Sequence, residues 1–325
     1  MTIPSIGVTS GDPGGIGPEI LIKTLAGAGA LPPAAYIIFG DPRVIRSEEE
    51  RLGLRLPLGE WRPGDSAEPG VFLSAAPGPL EDYRVGAVSA VNGEASFRAF
   101  EAAIGAARAG RLAAVVTAPV SKAAWALAGH AVRGHTEYLD RLHPGAIMAF
   151  WSDRLKVALF SHHRPLREAV EAVRADALVD FFRALHRGLG RLPGGPYRLL
   201  LAGLNPHAGE DGYLGREEAG DIRPAVDRAA AEGIPVSGPF PPDTVFLGAL
   251  DKKDTVAVAL YHDQGLIPFK LVSFATGVNV TLGLPFVRTS PDHGTAFDIA
   301  GKGVADPRSM EEAVRLAAAF SATGS

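Results

Sequence analysis

Cysteine is absent from the 325 residues, which removes disulfides, thiolate metal ligands and cysteine nucleophiles together and leaves His, Asp and Glu as the side chains able to hold a metal. Long apolar runs are missing too, since no stretch approaches the roughly 18 uninterrupted apolar residues that crossing a bilayer takes. Charge of one sign is also lacking. The net charge is −4, with no basic footprint for nucleic acid. The opening segment MTIPSIGVTSGDP has neither a basic leader nor a long apolar stretch, so a soluble cytoplasmic protein without membrane or nucleic-acid partners is expected.

What is present is apolar residue content of 46%, enough for a large core, in a chain longer than one compact domain usually runs. Strand and helix signals alternate. Ile6–Thr9, Ala35–Phe39, Ala113–Thr117, Lys156–Phe160, Arg198–Ala202 and Thr255–Tyr261 read as strands. Pro18–Ala26, Ser96–Ala109, Leu166–His186, Glu217–Glu232 and Met310–Phe320 read as helices. The Pro- and Gly-rich stretch Gly53–Pro79 reads as an irregular or short-stranded excursion, and Gly188–Pro196 as a loop. This alternation predicts a doubly wound α/β architecture built on a mostly parallel sheet.

Histidines follow three of the apolar runs, in VALFSHH (Val157–His163), LLLAGLNPH (Leu199–His207) and VAVALYHDQG (Val256–Gly265). Buried parallel strands would place all three at strand C-termini, the edge where α/β enzymes carry their chemistry. Three imidazoles are a sufficient protein ligand set for a catalytic divalent metal. A strand-end histidine that merely bonds its own loop is the plainer reading for any one of them, but the recurrence favours a shared metal. His162 and His163 are neighbours, and alternation in an extended segment lets only one face the metal.

Two glycine-rich signatures flank this region. Gly11–Glu19 (GDPGGIGPE) joins the first strand to the first helix, where backbone amides and the helix N-terminus suit an anion. It lacks the G-x-G-x-x-G order of a Rossmann turn. Asp292–Pro307 (DHGTAFDIAGKGVADP) is rich in small and polar residues around a histidine. As a pair the two segments resemble those of the isocitrate and isopropylmalate dehydrogenases, which bind NAD or NADP without a Rossmann domain. Gly11, Gly14, Gly17, His293, Asp298 and Asp306 are the cofactor-binding candidates.

The remaining motifs are TAPVSK (Thr117–Lys122), GHTEYL (Gly134–Leu139), GLNPHAGEDGYLG (Gly203–Gly215), GPFPPDTVF (Gly238–Phe246), YHDQGLIPFK (Tyr261–Lys270) and GVNVTLGLPFVRTSPDHGTA (Gly277–Ala296). Together, nearly end to end, the chain resembles the 4-hydroxythreonine-4-phosphate dehydrogenase family of pyridoxal phosphate biosynthesis. The resemblance implies that His163, His207 and His262 hold a divalent metal (zinc, magnesium or cobalt), which settles the choice between His162 and His163. It implies substrate-binding roles for His135, Thr136, Lys270, Asn279 and Arg288, types suited to a phosphorylated amino acid.

The implied reaction is oxidation of 4-phosphohydroxy-L-threonine by NAD, or NADP, followed by decarboxylation to 3-amino-2-oxopropyl phosphate. Lys122 and Asp243 are proton-transfer candidates from their motifs. Also implied is a two-lobed α/β/α fold of the isocitrate/isopropylmalate dehydrogenase type. Residues 1–120 and 290–325 would form one lobe and 121–289 the other, with a cleft between. A homodimer with a shared active site is implied as well, His163 and His207 coming from one subunit and His262 from the other. The alternative substrate is threonate or erythronate 4-phosphate, and a metal-dependent hydrolase is the rival activity. Position 14 is Gly where Ala is the commoner family residue, a change expected to alter backbone freedom alone.

Overall fold

Short strands, the central ones of each unit buried on both faces, alternate with helices, and this pattern builds two α/β units. The computed structural model describes residues 3–27, 30–62, 64–65, 68–74, 82–132 and 134–321. One unit takes the chain past residue 120 as far as Pro144 and again from Pro285, and the other is the continuous stretch Gly145–Leu284.

From the N-terminus, β1 (Ser5–Thr9), α1 (Gly17–Ala26), β2 (Ala35–Phe39) and α2 (Pro42–Leu52) are followed by β3 (Leu58–Trp61) and β4 (Gly70–Ser74). The expected excursion Gly53–Pro79 thus holds two short strands, while its residues 63, 66–67 and 75–79 lie outside the described residues. The first unit continues with α3 (Ala90–Arg108), β5 (Ala114–Thr117), α4 (Lys122–Leu127) and α5 (His135–Leu142).

The second unit runs through β6 (Ile147–Trp151), β7 (Lys156–Leu159), α6 (Leu166–Glu171), α7 (Ala175–Leu189), β8 (Arg198–Ala202) and α8 (Arg223–Ala231). It then forms β9 (Val236–Phe240), α9 (Val245–Ala249), β10 (Thr255–Ala259), α10 (His262–Ser273) and β11 (Val278–Leu282). The chain returns to the first unit with β12 (Val287–Pro291) and α11 (Arg308–Ser321).

In the first unit the strand order is β3-β4-β2-β1-β5-β12, all parallel. The chain leaves β1 toward β2 on one side, and β5 lies on the other, so the loops after β1 and β5 border a topological switch point. Those loops are GDPGG and TAPVSK, joined by a bond from the Asp12 N–H to the Pro119 carbonyl at 2.9 Å.

The second unit has the order β11-β6-β7-β10-β8-β9, and β6 runs antiparallel to both its neighbours. β10 therefore lies between β7 and β8, which brings the loops carrying His163, His262 and His207 out side by side. A Cβ on Gly265 would come within 2.9 Å of Val157, Leu159 and Ala259, so glycine lets α10 lie directly on β7 and β10.

Three helices differ from expectation. α3 begins at Ala90, six residues before the expected Ser96. Leu166–His186 is interrupted after Glu171, and the segment starting at Glu217 opens with a π-helical turn, Glu218–Ile222, before α8. No helix among the described residues is long and apolar enough to cross a membrane.

Candidate active site

Within the second unit, His163 and His262 face each other with ring centres 5.7 Å apart. They line a cavity of about 320 Å³ together with His162, Arg164, Tyr261 and Asp263. Alternation along an extended segment predicted that only one of His162 and His163 would face this side. Both do, because the chain has left β7 at Leu159 and turns here rather than running extended.

His262 is the first residue of α10. Its Nδ1 lies 2.7 Å from a carboxylate oxygen of Asp263, an arrangement that orients the ring and leaves Nε2 for a ligand. The Gln264 side chain accepts from the Leu260 N–H and donates to the Gly203 carbonyl, both at 2.7 Å, tying the ends of β10 and β8 together. Nothing in the YHDQG pattern identified this staple beforehand, since it depends on β8 being the neighbour.

His207 is exposed on a turn, Pro206–Gly212, in which residues 207–211 all have positive φ. Four of these are not glycine, a left-handed run that L-residues avoid. The buried Glu218 carboxylate supports the start of the turn, accepting from the N–H groups of Leu204 and Asn205 and from the Asn205 amide at 2.7–2.8 Å. Glu218 was not legible from sequence spacing. Among the described residues no three His, Asp or Glu side chains stand close enough to hold a metal, and the pair brought together is His163 with His262 rather than His163 with His207. Facing imidazoles are a donor pair suited to a zinc-like ion.

Asp243 is exposed on the same unit, where it borders an apolar groove of about 710 Å³ with Leu247, Ile267 and Leu271. Lys270 on α10 and Asn279 on β11 are both half-buried, so neither is a freely solvated surface residue.

The first unit holds a second cluster. Arg288, on β12, is 3% exposed, and burial pushes its guanidinium down to about 10. It donates to Thr117 Oγ1 at 2.6 Å and lies 3.3 Å from His135 Nδ1. His135 opens α5 beside Phe100 and Trp125, with ring centres 4.6 and 5.6 Å away. Burial, and then the Arg288 charge, hold its pKa well below the ordinary imidazole value. Its Nε2 is shielded from solvent and has no hydrogen-bond partner among the described residues. Thr136 follows it, half-buried. Lys122 is exposed at the start of α4, with its stem against Gly134.

The glycine signatures meet one another. The Ile16 N–H donates to the Thr295 carbonyl at 2.9 Å, and a Cβ on Gly15 would strike Thr295. A Cβ would press Gly11 into Pro119 and Ala118, and Gly17 into Ser10, so packing of the chain on itself already requires these glycines. At position 14 the expectation needs correction. The constraint is space, not backbone freedom, because an added Cβ would collide with the Asn92 amide and the carbonyls of Ala87 and Arg84. His293 has a shielded Nε2 with no partner among the described residues, leaving it able to bond a bound group. Asp306 is exposed and ion-paired to Arg308, and Asp298 is exposed.

The profile of the family described as Pyridoxal phosphate biosynthetic protein PdxA matches residues 33–317. A 4-hydroxythreonine-4-phosphate dehydrogenase from Xanthobacter autotrophicus is 43% identical over 94% of this chain and 91% of that protein. A D-threonate 4-phosphate dehydrogenase from Pectobacterium atrosepticum is 42% identical over 96% of this chain and 98% of that protein. The crystal structure of a 4-hydroxythreonine-4-phosphate dehydrogenase from Klebsiella pneumoniae superposes with a TM-score of 0.88 at 40% identity, covering 98% of both chains. The two-unit α/β fold and these relatives define an oxidoreductase, a dehydrogenase acting on a CH–OH group, which sets the hydrolase reading aside. Within that class the chain belongs to the PdxA family of pyridoxal phosphate biosynthesis.

Proposed function

We propose that the protein oxidises 4-phosphohydroxy-L-threonine with NAD in the presence of a divalent metal. In that reaction the carbon bearing the hydroxyl gives its hydrogen to NAD as hydride and the hydroxyl oxygen gives its proton to the enzyme, and the resulting β-keto acid loses carbon dioxide and takes up a proton to give 3-amino-2-oxopropyl phosphate. The observation that carries this reading is the Arg288–His135 pair, a desolvated guanidinium beside a solvent-shielded imidazole nitrogen. Such a pair suits an anionic group, because charge-assisted bonds strengthen away from water.

Arg288 and Lys270 neutralise the phosphate and carboxylate, and His135, Thr136 and Asn279 supply directional hydrogen bonds. His163, His207 and His262 hold the metal, whose all-imidazole donor set suits zinc or cobalt better than magnesium. Bound there, the metal supplies Lewis-acid polarisation of the substrate oxygen, while NAD, held by the two glycine signatures with His293, Asp298 and Asp306, supplies the hydride acceptor. Lys122 Nζ and the Asp243 carboxylate are the two candidates to receive the hydroxyl proton.

A homodimer with shared sites belongs to the same proposal. In its support, α10 exposes Leu271 (87%), and Phe274, its C-cap residue, is exposed as well (77%). The apolar groove beside them shares Leu166, Tyr261 and Asp263 with the histidine cavity, so a partner covering the groove would abut the metal ligands.

A second reading, D-threonate 4-phosphate as substrate, is favoured by the relative of that name. Purified protein, stripped of metal and reloaded with zinc, cobalt or magnesium, is assayed for NADH with each phosphate. Fastest turnover on 4-phosphohydroxythreonine, lost on chelation, is the expected result. Faster turnover on D-threonate 4-phosphate transfers the assignment, and no NADH from either rejects both.

A further inference from the structure

Thr117 is the last residue of β5 and fully buried, and it opens the TAPVSK motif without a role in the reaction described above. β12 pairs with β5 in parallel, which carries Arg288 alongside it. The guanidinium Nη2 donates to Thr117 Oγ1 at 2.6 Å and lies 3.3 Å from His135 Nδ1. A guanidinium has donors only. Nδ1 is therefore the accepting nitrogen of a neutral ring, and the ring proton sits on Nε2.

That Nε2 is the atom left shielded and without a partner among the described residues. Phe100 and Trp125 pack on the ring and limit its rotation. We infer that Thr117 is a positioning residue, which aims Arg288 at His135 and so presents His135 Nε2–H as a fixed, uncharged donor to an anionic oxygen of the substrate. The inference rests on the proposed reading in which His135 and Arg288 bind that substrate.

The charged groups around the ring favour the same state. Arg288 faces it from β12, and Lys122 on α4 lies against Gly134 immediately before it. On α5 itself, Glu137 is ion-paired to Arg141 at 2.6 Å. From α3, Glu101 is engaged by the Tyr138 hydroxyl at 3.3 Å. The nearest charge is thus positive, and a second ring proton is opposed by both burial and repulsion.

A neutral donor has a specific consequence. His135 adds no pH dependence to substrate affinity through the range where an ordinary histidine titrates, and the affinity depends on the Thr117 hydroxyl although that hydroxyl touches no substrate.

The test is two-bond ¹H–¹⁵N spectroscopy of ¹⁵N-histidine protein, with the His135 signals assigned by their loss in His135→Asn. Wild type should show the neutral Nε2–H pattern unchanged from about pH 5.5 to 8.5, a window spanning the usual histidine pKa. Thr117→Val, which keeps shape and removes the acceptor, should admit the Nδ1–H tautomer or a titrating ring. It should also raise KM for the phosphorylated substrate about tenfold, as expected for one lost charge-assisted bond. KM for NAD should change less than about twofold, because the cluster serves the substrate alone. Thr117→Ser should restore both the spectrum and the KM.

A wild-type Nδ1–H tautomer, or a ring titrating near its ordinary value, overturns the inference without reference to turnover. So does a Thr117→Val protein with wild-type spectrum and KM. An Nε2–H pattern in a protein that turns over neither phosphate leaves the hydrogen-bond relay standing and rejects the substrate reading instead.

Discussion

Asp12 is fully buried, and its Oδ1 accepts the Gly14 N–H at 2.8 Å while Oδ2 is enclosed with no partner among the described residues. Burial raises its pKa to about 6, against the opposing pull of the Gly14 N–H bond and the Ser121 backbone. A carboxyl with a raised folded-state pKa binds its proton more tightly folded than unfolded. Its contribution to stability therefore falls as the pH rises from about 4 to about 6, and the penalty is complete above that. Asp12→Asn removes the ionisation and keeps an accepting oxygen. Relative to wild type, the variant should gain about 2–3 kcal/mol more at pH 8 than at pH 4. Urea unfolding at the two pH values measures it, and parallel stability profiles would show that burial does not govern this carboxylate. A sequence shows an Asp in a glycine loop. It does not show that the loop after β5 closes over it.

Between elements, α1 and the segment leading into α11 are held together by one buried carboxylate. Glu19 accepts from the Ala305 N–H and from Lys23 Nζ, each at 2.7 Å, and Lys23 also donates to the carbonyls of Gly303 and Ala305. Arg51 approaches the same carboxylate at 3.3 Å and is paired with Glu48. Burial pushes Glu19 up, but the Lys23 bond, the Ala305 N–H and the two cationic charges outweigh it and lower its pKa overall. Glu19→Gln should cost about 2 kcal/mol, less than a wholly buried pair because Lys23 is partly exposed. Amide exchange at Val304 and Ala305 should rise at the same time, whereas unchanged protection there would show that the segment does not depend on the clamp.

The same remote bonding explains where the expected helices fail. The α7 N-terminus is capped from a distance, the Ala175 N–H donating to Asp221 Oδ1 at 2.9 Å, so the break before it has no local signature. The π-helical opening before α8 coincides with Glu218, whose side chain is committed to Leu204 and Asn205. By contrast, β2, β7 and β10 were legible because burial on both faces demands continuous apolar runs. β6 is equally apolar, but no residue in it announces an antiparallel direction.

At the scale of the whole molecule, the histidines were legible as residues that follow apolar strands, but the strand order that sets β10 between β7 and β8 was not. His163 and His262 meet within one chain, and His207 stands apart on its left-handed turn. A shared site completed by a second copy would then take His207 and His262 from different subunits. His207→Ala and His262→Ala homodimers should each be inactive. Re-paired at random, about half the dimers are mixed, each with one intact site of two, so activity should return to roughly a quarter of wild type. Zero activity after exchange verified by mass would place both ligands in one chain.

The first unit is assembled from both ends of the chain, with β12 and α11 added to strands made long before. Thr289 Oγ1 fastens that late strand to the Ala313 carbonyl at 2.8 Å. On the ribosome, the continuous Gly145–Leu284 stretch can emerge and fold while β5 still waits for its neighbour. Arg288 rides on that neighbour, so the guanidinium that meets Thr117 and His135 arrives only after the whole Gly145–Leu284 unit has been made. A nascent chain stalled before residue 288 already carries every strand-end histidine and yet lacks the guanidinium that Thr117 and His135 meet.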